Sequence, residues 1–172
     1  MQNSGLRDFD ANRLSNDSVR ALYWAQAEAH GRRHNYCGVD DLFYGVASTE
    51  ESVTSEVLKR AGITHQKIHA FMSTIRGIRS EVIDELIGLT PNAKRALEAA
   101  FDAADTLANQ NIDCVHILFG LLSEPAIDDL GPVLQNFKAD PEFLRNEISR
   151  LLASHSYENG RMKLSTLESQ SD

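Results

Sequence analysis

The residues of this sequence that could do chemistry are two pairs of histidines, two cysteines and several adjacent carboxylates. His65 and His69 stand four residues apart, and His30 and His34 repeat that spacing around a glycine. Two imidazoles at this spacing can share one face of a helix and bind zinc, but a zinc site needs further ligands, and none is in reach by sequence. We therefore interpret all four as solvent-exposed histidines and expect no metal site.

The two cysteines, Cys37 and Cys114, are the only ones in the chain. So low a cysteine content is typical of a reducing compartment, where a buried thiol behaves as a small apolar side chain. We predict two core thiols, with a disulfide as the alternative.

Several functions are disfavoured by composition and by missing motifs. The net charge of -8 argues against a nucleic-acid partner, which requires clustered Lys and Arg. The sequence contains no G-x-x-x-x-G-K-[ST] phosphate loop and no nucleophile elbow, so we expect no enzymatic activity and no cofactor. The N-terminus lacks the apolar run of a signal peptide, and no stretch is long enough to span a bilayer. We expect a cytoplasmic protein, or one in the plastid stroma if a transit peptide has been removed.

The sequence segment that must position these residues occurs twice in the chain, as an internal repeat. The segment that begins at Leu14 aligns without a gap with the segment that begins at Leu89, at an offset of 75 positions. Identical pairs include Arg20 with Arg95, Ala21 with Ala96, Leu22 with Leu97, Ala25 with Ala100, Ala29 with Ala104 and Gly45 with Gly120. Such a repeat predicts two similar halves packed together.

Helical periodicity and capping residues predict an all-α fold of eight helices. Their expected bounds are Ser15 or Asn16 to Gly31, Val39 to Ser48, Ser52 or Thr54 to Gly62, Thr64 to Ile75, Thr90 to about Asn109, Cys114 to Ser123, about Asp128 to Phe137, and Asp140 to Leu152. No segment alternates with the period of a strand. The predicted organisation is a flexible or loosely docked arm at 1–13, a first repeat at 14–75, a linker with a short helical turn at 76–88, a second repeat at 89–152 and a disordered tail at 153–172.

The first helix should present one face made by Val19, Leu22, Ala25 or Gln26, and Ala29. Trp24 is expected in the core or half-buried. A glycine inside a helix costs about 1 kcal/mol relative to alanine. Its presence in both copies, at Gly45 and Gly120, predicts close backbone packing.

These motifs, duplicated in order and in register, resemble the double repeat of the Clp N-terminal domain, which precedes the ATPase modules of the Clp/Hsp100 unfoldases. The resemblance covers residues 14–152. The first copy reads RAL, HNYCGVDDLFYGV and VLKRAGI, and the second reads TPNAKRALEAAF, NIDCVHILFGLL and VLQNF.

The resemblance implies a pseudo-twofold eight-helix bundle that binds proteins and does no chemistry. We expect an accessory or adaptor subunit that binds a Clp unfoldase, a ClpP-type protease core, or client and adaptor proteins. The initiating Met and the polar tail favour this stand-alone interpretation. The alternative is a detached N-terminal substrate-receptor domain of a Clp/Hsp100 ATPase.

The resemblance also implies a candidate site for a guanidinium or phosphoarginine-like ligand. In ClpC-type members each repeat can use a Ser or Thr at the start of its first helix and a Glu at the start of its second. The first copy here has Ser15 and Asp40, whereas the second has Thr90 but Val115, which cannot pair with a cation. The alternative is that Asp40, together with Asp41, only favours the dipole of the helix that it begins.

A second surface implied by the resemblance is a shallow apolar peptide groove where the copies meet, near Leu14, Leu89 and Thr90. The alternative is that both leucines act as hydrophobic staples beneath the first helix of each half.

Overall fold

The structure, a computed structural model, describes residues 9–75 and 88–154 and the backbone of residues 157–158 and 161–162. Within these ranges the all-α prediction is confirmed, because the chain forms eight α-helices. They are α1 (Asn16–Gly31), α2 (Val39–Ser48), α3 (Val53–Arg60), α4 (His65–Ile75), α5 (Pro91–Thr106), α6 (Cys114–Leu121), α7 (Ala126–Asn136) and α8 (Pro141–Ala153).

The first helix of each half begins at the residue that the sequence indicated. The Ser15 hydroxyl accepts a hydrogen bond from the backbone N–H of Ser18 at 3.2 Å. The Thr90 hydroxyl accepts one from the N–H of Ala93, also at 3.2 Å. Each bond satisfies one of the N–H groups that a helix start leaves without a partner.

Each half is built around one tight helix pair, α1 on α2 and α5 on α6. A Cβ atom added to Gly45 would lie 3.0 Å from the carbonyl carbon of Ala21, and one added to Gly120 would lie 2.9 Å from that of Ala96. The carbonyl oxygens are closer still. The predicted backbone approach at both glycines is therefore confirmed, and it recurs at the offset of the sequence repeat.

The two halves are joined by exchanged backbone pairing. Strand β1 (Tyr36–Cys37) pairs in parallel with β2 (Gly88–Leu89), so that Cys37 of the first half faces Leu89 of the second. In the mirror arrangement Leu14 of the first half forms a bridge with Ile112 of the second. The segment that precedes α1 therefore pairs with the segment that precedes α6, and the segment that precedes α5 pairs with the segment that precedes α2.

The expectation that the chain contains no strand was wrong, but only for very short elements. β1 and β2 have two residues each, and so do the antiparallel β3 (Tyr157–Glu158) and β4 (Arg161–Met162). Two residues are too few to show an alternating pattern, so periodicity could not reveal them.

One continuous apolar core runs through both halves. Cys37 and Cys114 are both buried within it as free thiols, as predicted. The prediction that Val19 belongs to the apolar face of α1 was wrong, because Val19 is 50% exposed and lies outside the buried face of this helix. That face is instead formed by Ser18, Ala21, Leu22, Ala25, Glu28 and Ala29.

The end of the predicted flexible arm is docked. The Phe9 ring lies 5.2 Å from the Phe101 ring, centroid to centroid, and Arg13 forms an ion pair with Asp105 at 2.7 Å. Residues 1–8, the predicted helical turn of the linker and most of the predicted disordered tail lie outside the described residues.

Candidate functional site

Ser15, the first candidate ligand-binding residue, is half-buried at the start of α1 and faces the second half. Its backbone N–H donates to the carbonyl of Ile112 at 3.0 Å. The neighbouring Ser18 hydroxyl donates to the same carbonyl at 2.6 Å. The surroundings of Ser15 are therefore made by the segment that leads into α6.

Asp40, the second candidate, is 3% exposed in the first turn of α2. Its carboxylate accepts a hydrogen bond from the N–H of Asp41 at 3.1 Å, and Asp41 is ion-paired with Arg32 at the end of α1. Since a helix of 16 residues is about 24 Å long, Ser15 and Asp40 lie beside opposite ends of α1. Thr90, the cap residue of α5, lies next to the segment that leads into Asp40. Its backbone N–H donates a hydrogen bond to the Cys37 carbonyl at 3.0 Å.

The sequence could not indicate that the cap residue of each half's first helix lies beside a segment of the other half. The family resemblance implied that Ser15 and Asp40 act together within the first copy. The pairing of the halves instead brings each cap residue beside the other copy. A guanidinium site at Asp40 stays a proposal, with Thr90 rather than Ser15 as the neighbouring cap residue.

The candidate groove residues lie at the junction of the halves. Leu89 is buried in β2, whereas Leu14 and Thr90 are half-buried. Leu14 packs against the continuous core. These positions fit the staple interpretation. Leu14 and Thr90 lie beside opposite ends of α1, so a peptide would have to run along that helix to contact both.

A buried ionic cluster joins α1, α2 and α4, and the sequence analysis missed it. The Arg32 guanidinium is ion-paired with Asp41 and with Glu28, whose Oε1 lies 3.2 Å from Nε. All three side chains are buried. His69 adds to the cluster, because its Nδ1 lies 2.9 Å from the same Glu28 oxygen.

His69 is solvent-exposed, as the sequence analysis expected, but it also contributes to this cluster. Its ring is more than half exposed, yet one nitrogen contacts a buried carboxylate. His65 and His69 also both contact the Tyr44 ring, each at 6.2 Å between centroids. No group of three His, Cys, Asp or Glu side chains in the described part of the chain is arranged to hold a metal ion.

The second half has a different polar pair where the first has the ionic cluster. His116 corresponds to Asp41 at the repeat offset. The His116 Nδ1 accepts a hydrogen bond from the N–H of Asp113 at 2.9 Å, just as Asp41 accepts one from Gly38 at 2.8 Å. A buried imidazole therefore does the capping that a carboxylate does in the first half.

Burial shifts the protonation of this pair in opposite directions. It raises the pKa of Asp113 from an ordinary 3.8 to about 6; the hydrogen bond with the Ser15 side chain opposes this rise, and the charge of Asp17 adds to it. It lowers the pKa of His116 from 6.5 to about 4; the hydrogen bond to the Asp113 backbone opposes the shift, and Arg13 adds to it. Both groups are therefore neutral in the folded protein at about pH 5.

The two pKa shifts make opposite contributions to the pH dependence of the free energy of unfolding. We expect these contributions to cancel in the wild-type protein and each to be visible in a variant that lacks the other residue. Between pH 6.5 and 4 the folded state gains a proton on Asp113, whereas the unfolded state gains one on His116. Acidification over this range should therefore destabilise Asp113→Asn, which keeps only the histidine, by up to about 3 kcal/mol relative to wild type. The same acidification should stabilise His116→Asn by a similar amount.

Urea unfolding at a series of pH values, followed by circular dichroism, measures both differences. If both variants showed the same pH dependence of stability as the wild-type protein, the shifted pKa values of Asp113 and His116 would be contradicted.

The comparisons with known proteins agree with this geometry. Residues 88–168 match the family model described as the Clp repeat (R) N-terminal domain. The chain carries a Clp N-terminal domain. The offset contacts at Gly45 and Gly120, and at Leu14 and Leu89, extend the same architecture to the first half.

Relatives of this Clp N-terminal domain include much longer proteins. The chain is 30% identical over 140 residues to the ATP-dependent Clp protease ATP-binding subunit ClpA homolog CD4B, chloroplastic, of Solanum lycopersicum. It is 29% identical over 143 residues to the chloroplastic chaperone protein ClpC1 of Arabidopsis thaliana. These alignments cover 81% and 83% of the chain but only 15% of each relative.

Solved structures share the fold. The N-terminal domain of the Arabidopsis thaliana chaperone ClpD has a TM-score of 0.69 at 22% identity, covering 84% of this chain and 97% of that one. The ClpV N-domain in complex with a VipB peptide has a TM-score of 0.60 at 18% identity, covering 83% and 88%. No helix in the described ranges of this Clp N-terminal domain has the length and apolar character needed to cross a membrane.

Proposed function

We propose that this protein is a non-enzymatic binding module of the Clp protease system, acting as an accessory or adaptor subunit. Its partners are a Clp unfoldase, a ClpP-type protease core, or client and adaptor proteins. The observation that carries the proposal is the duplicated fold itself, whose halves are fixed to one another by exchanged backbone pairing.

A second candidate function is that of a detached N-terminal substrate-receptor domain. It is supported by the small share of each chloroplastic relative that the chain spans. The two candidates differ in whether an ATPase module belongs to the same polypeptide. Sequencing the transcript that contains this segment distinguishes them, because only the receptor-domain candidate predicts a phosphate loop downstream in the same reading frame.

A peptide partner is supported by one of the similar structures, in which a ClpV N-domain holds a VipB peptide. A plastid stromal location is supported by the chloroplastic relatives, and a cytoplasmic location is the alternative. Fractionation of intact plastids separates these locations.

We expect copurification to identify Clp components as partners. The tagged protein, isolated from native lysate of its own organism with ATP present, should enrich Clp ATPase or protease subunits over a tag-only control. Abundant Clp subunits in the input combined with none in the eluate would contradict the proposal.

The two candidate ligand sites are parts of this proposal. A guanidinium ligand would pair with Asp40 beside Thr90, whereas Ser15 lies beside the other end of α1. A peptide would lie over Leu14 and Thr90 beside Leu89. Asp40→Ala should weaken binding of phosphoarginine in a calorimetric titration, because the carboxylate is the only part of this site that can accept a bidentate guanidinium. Equal heats for the two proteins would remove Asp40 from the binding surface.

A further inference from the structure

The outer face of α1 carries large apolar side chains in water. Val19 is 50% exposed, Tyr23 is 67% exposed and Trp24 is 41% exposed. The Tyr23 and Trp24 rings lie 5.5 Å apart in an edge-on arrangement. We call Val19, Arg20, Tyr23, Trp24 and Ala27 the α1 outer face.

The fold does not require these apolar side chains on the outside of α1, because the equivalent helix of the second half, α5, forms without them. The residues at the same positions of α5 are Lys94 for Val19, Glu98 for Tyr23 and Ala99 for Trp24. The same helix, packed on its partner in the same way, is therefore built with a polar exterior in the second half. Tyr, Trp and Arg are also the residue types most enriched among those that dominate binding energy at protein interfaces.

The charge of this face differs from that of the rest of the chain. The sequence has 25 acidic residues and a net charge of -8. Yet the only acidic residues of α1 are Asp17, whose side chain is 14% exposed, and Glu28, which is buried. Arg20, by contrast, is half exposed and lies one helical turn before Tyr23 and Trp24. Its guanidinium is 3.5 Å from the Asp17 carboxylate, within the same helix. A face that lacks exposed carboxylates on an acidic protein is complementary to an apolar segment that carries carboxylates.

The spacing of the side chains indicates the conformation of the partner. Val19, Tyr23 and Ala27 form one row at four-residue spacing, and Arg20 and Trp24 form the adjacent row. Two such rows make the ridges and groove into which the side chains of another helix pack, and the small Ala27 permits a close approach at one end.

We propose that the α1 outer face binds an amphipathic helix of a partner protein, whose apolar stripe covers Val19, Tyr23 and Trp24 and whose bordering carboxylates face Arg20. This inference rests on the proposed binding function and adds the chemistry of the partner. It assigns partner recognition to the first half alone, since the second half carries Lys and Glu at the corresponding positions.

Trp24 is the only tryptophan in the chain, so its fluorescence reports on this face directly. The probes are two synthetic helical peptides of equal length with the same leucine stripe, one bordered by glutamates and the other by lysines. We expect the glutamate peptide to shift the Trp24 emission to shorter wavelength in a saturable manner, because it removes the ring from water. The lysine peptide should bind at least roughly tenfold more weakly.

The test variant is Val19→Lys with Tyr23→Glu, which introduces the residues of the second half and keeps the Trp24 reporter. It should fold with an unchanged circular dichroism spectrum and bind the glutamate peptide roughly tenfold more weakly or worse. The matched control is Phe143→Glu, which removes an aromatic side chain of similar exposure on α8 and should leave binding unchanged.

Three results would overturn the proposal. They are equal binding of the two peptides, equal binding by the folded double variant, and an emission shift produced by raising the concentration of the protein alone, which would assign the face to a second copy. If the double variant still copurifies with Clp subunits, the binding function stands and this face is not the surface used.

Discussion

Replacing Arg32 with leucine is expected to lower the free energy of unfolding by about 3–5 kcal/mol. The change leaves Asp41, which is fully buried, and Glu28, which is nearly so, without their shared cation. A buried carboxylate that loses its partner keeps the whole cost of leaving water. Urea unfolding followed by circular dichroism measures the loss.

The second half shows how the effect can be separated from a change in packing. Leucine already occupies the position equivalent to Arg32, as Leu107, and the positions of Glu28 and Asp41 hold Ala103 and His116. The triple variant Glu28→Ala, Arg32→Leu, Asp41→His should therefore recover most of the stability, because it removes the stranded charges as well. The control is Arg150→Leu, whose exposed pair with Glu147 should contribute less than about 1 kcal/mol. A single variant as stable as the control would show that the cluster is not what holds α1 to α2.

The second large effect is expected at Gly120, where alanine should destabilise the fold by about 3 kcal/mol and leucine by more. The added Cβ would enter the carbonyl group of Ala96, which belongs to the backbone of α5 and cannot move aside as a flexible side chain could. The same reasoning predicts a comparable loss for Gly45→Ala, where the obstacle is Ala21.

Gly31 provides the matched control, since nothing lies within 4 Å of a Cβ added there. Gly31→Ala should change stability by no more than about 1 kcal/mol, and the expected sign is stabilising because alanine is the better helix former. Thermal unfolding of the three alanine variants compares them directly. If Gly120→Ala melted at the wild-type temperature, the close crossing of α5 on α6 would be contradicted.

The parts of the fold that followed from the sequence are those set by local rules and by the repeat. Ser15 and Thr90 could be identified as caps because a hydroxyl before a helix satisfies a backbone N–H wherever the helix lies. Gly45 and Gly120 could be identified because a glycine retained twice within a helix is costly unless it allows a close contact.

What the sequence could not supply was the relation between the halves and the state of its charged residues. A repeat reveals that two units are alike, but not that the backbone of each cap residue pairs with the other unit. The family resemblance, which grouped Ser15 with Asp40, did not reveal it either. Arg32 lies in a polar stretch between two helices, and charged residues in such stretches are usually exposed. Only the packing of α1 against α2 shows that it is buried.

The exposure of Val19 and Trp24 has a related cause. Helical periodicity marks which residues share a face, but not how wide the buried part of that face is. In α1 the buried face is made by three alanines, Leu22, Ser18 and Glu28, and the larger apolar side chains are left outside it. The surface proposed for partner recognition thus includes two residues, Val19 and Trp24, that the sequence analysis placed in or near the core.

The measurement that tests the central claim most directly is equilibrium binding of the purified protein to purified Clp ATPase rings and to ClpP-type protease cores from the same organism. We predict saturable binding to at least one of them, and weaker binding by the folded Val19→Lys, Tyr23→Glu variant than by Phe143→Glu. No binding to either component, or to the two together with ATP and a client protein present, would contradict the assignment of this protein to the Clp protease system.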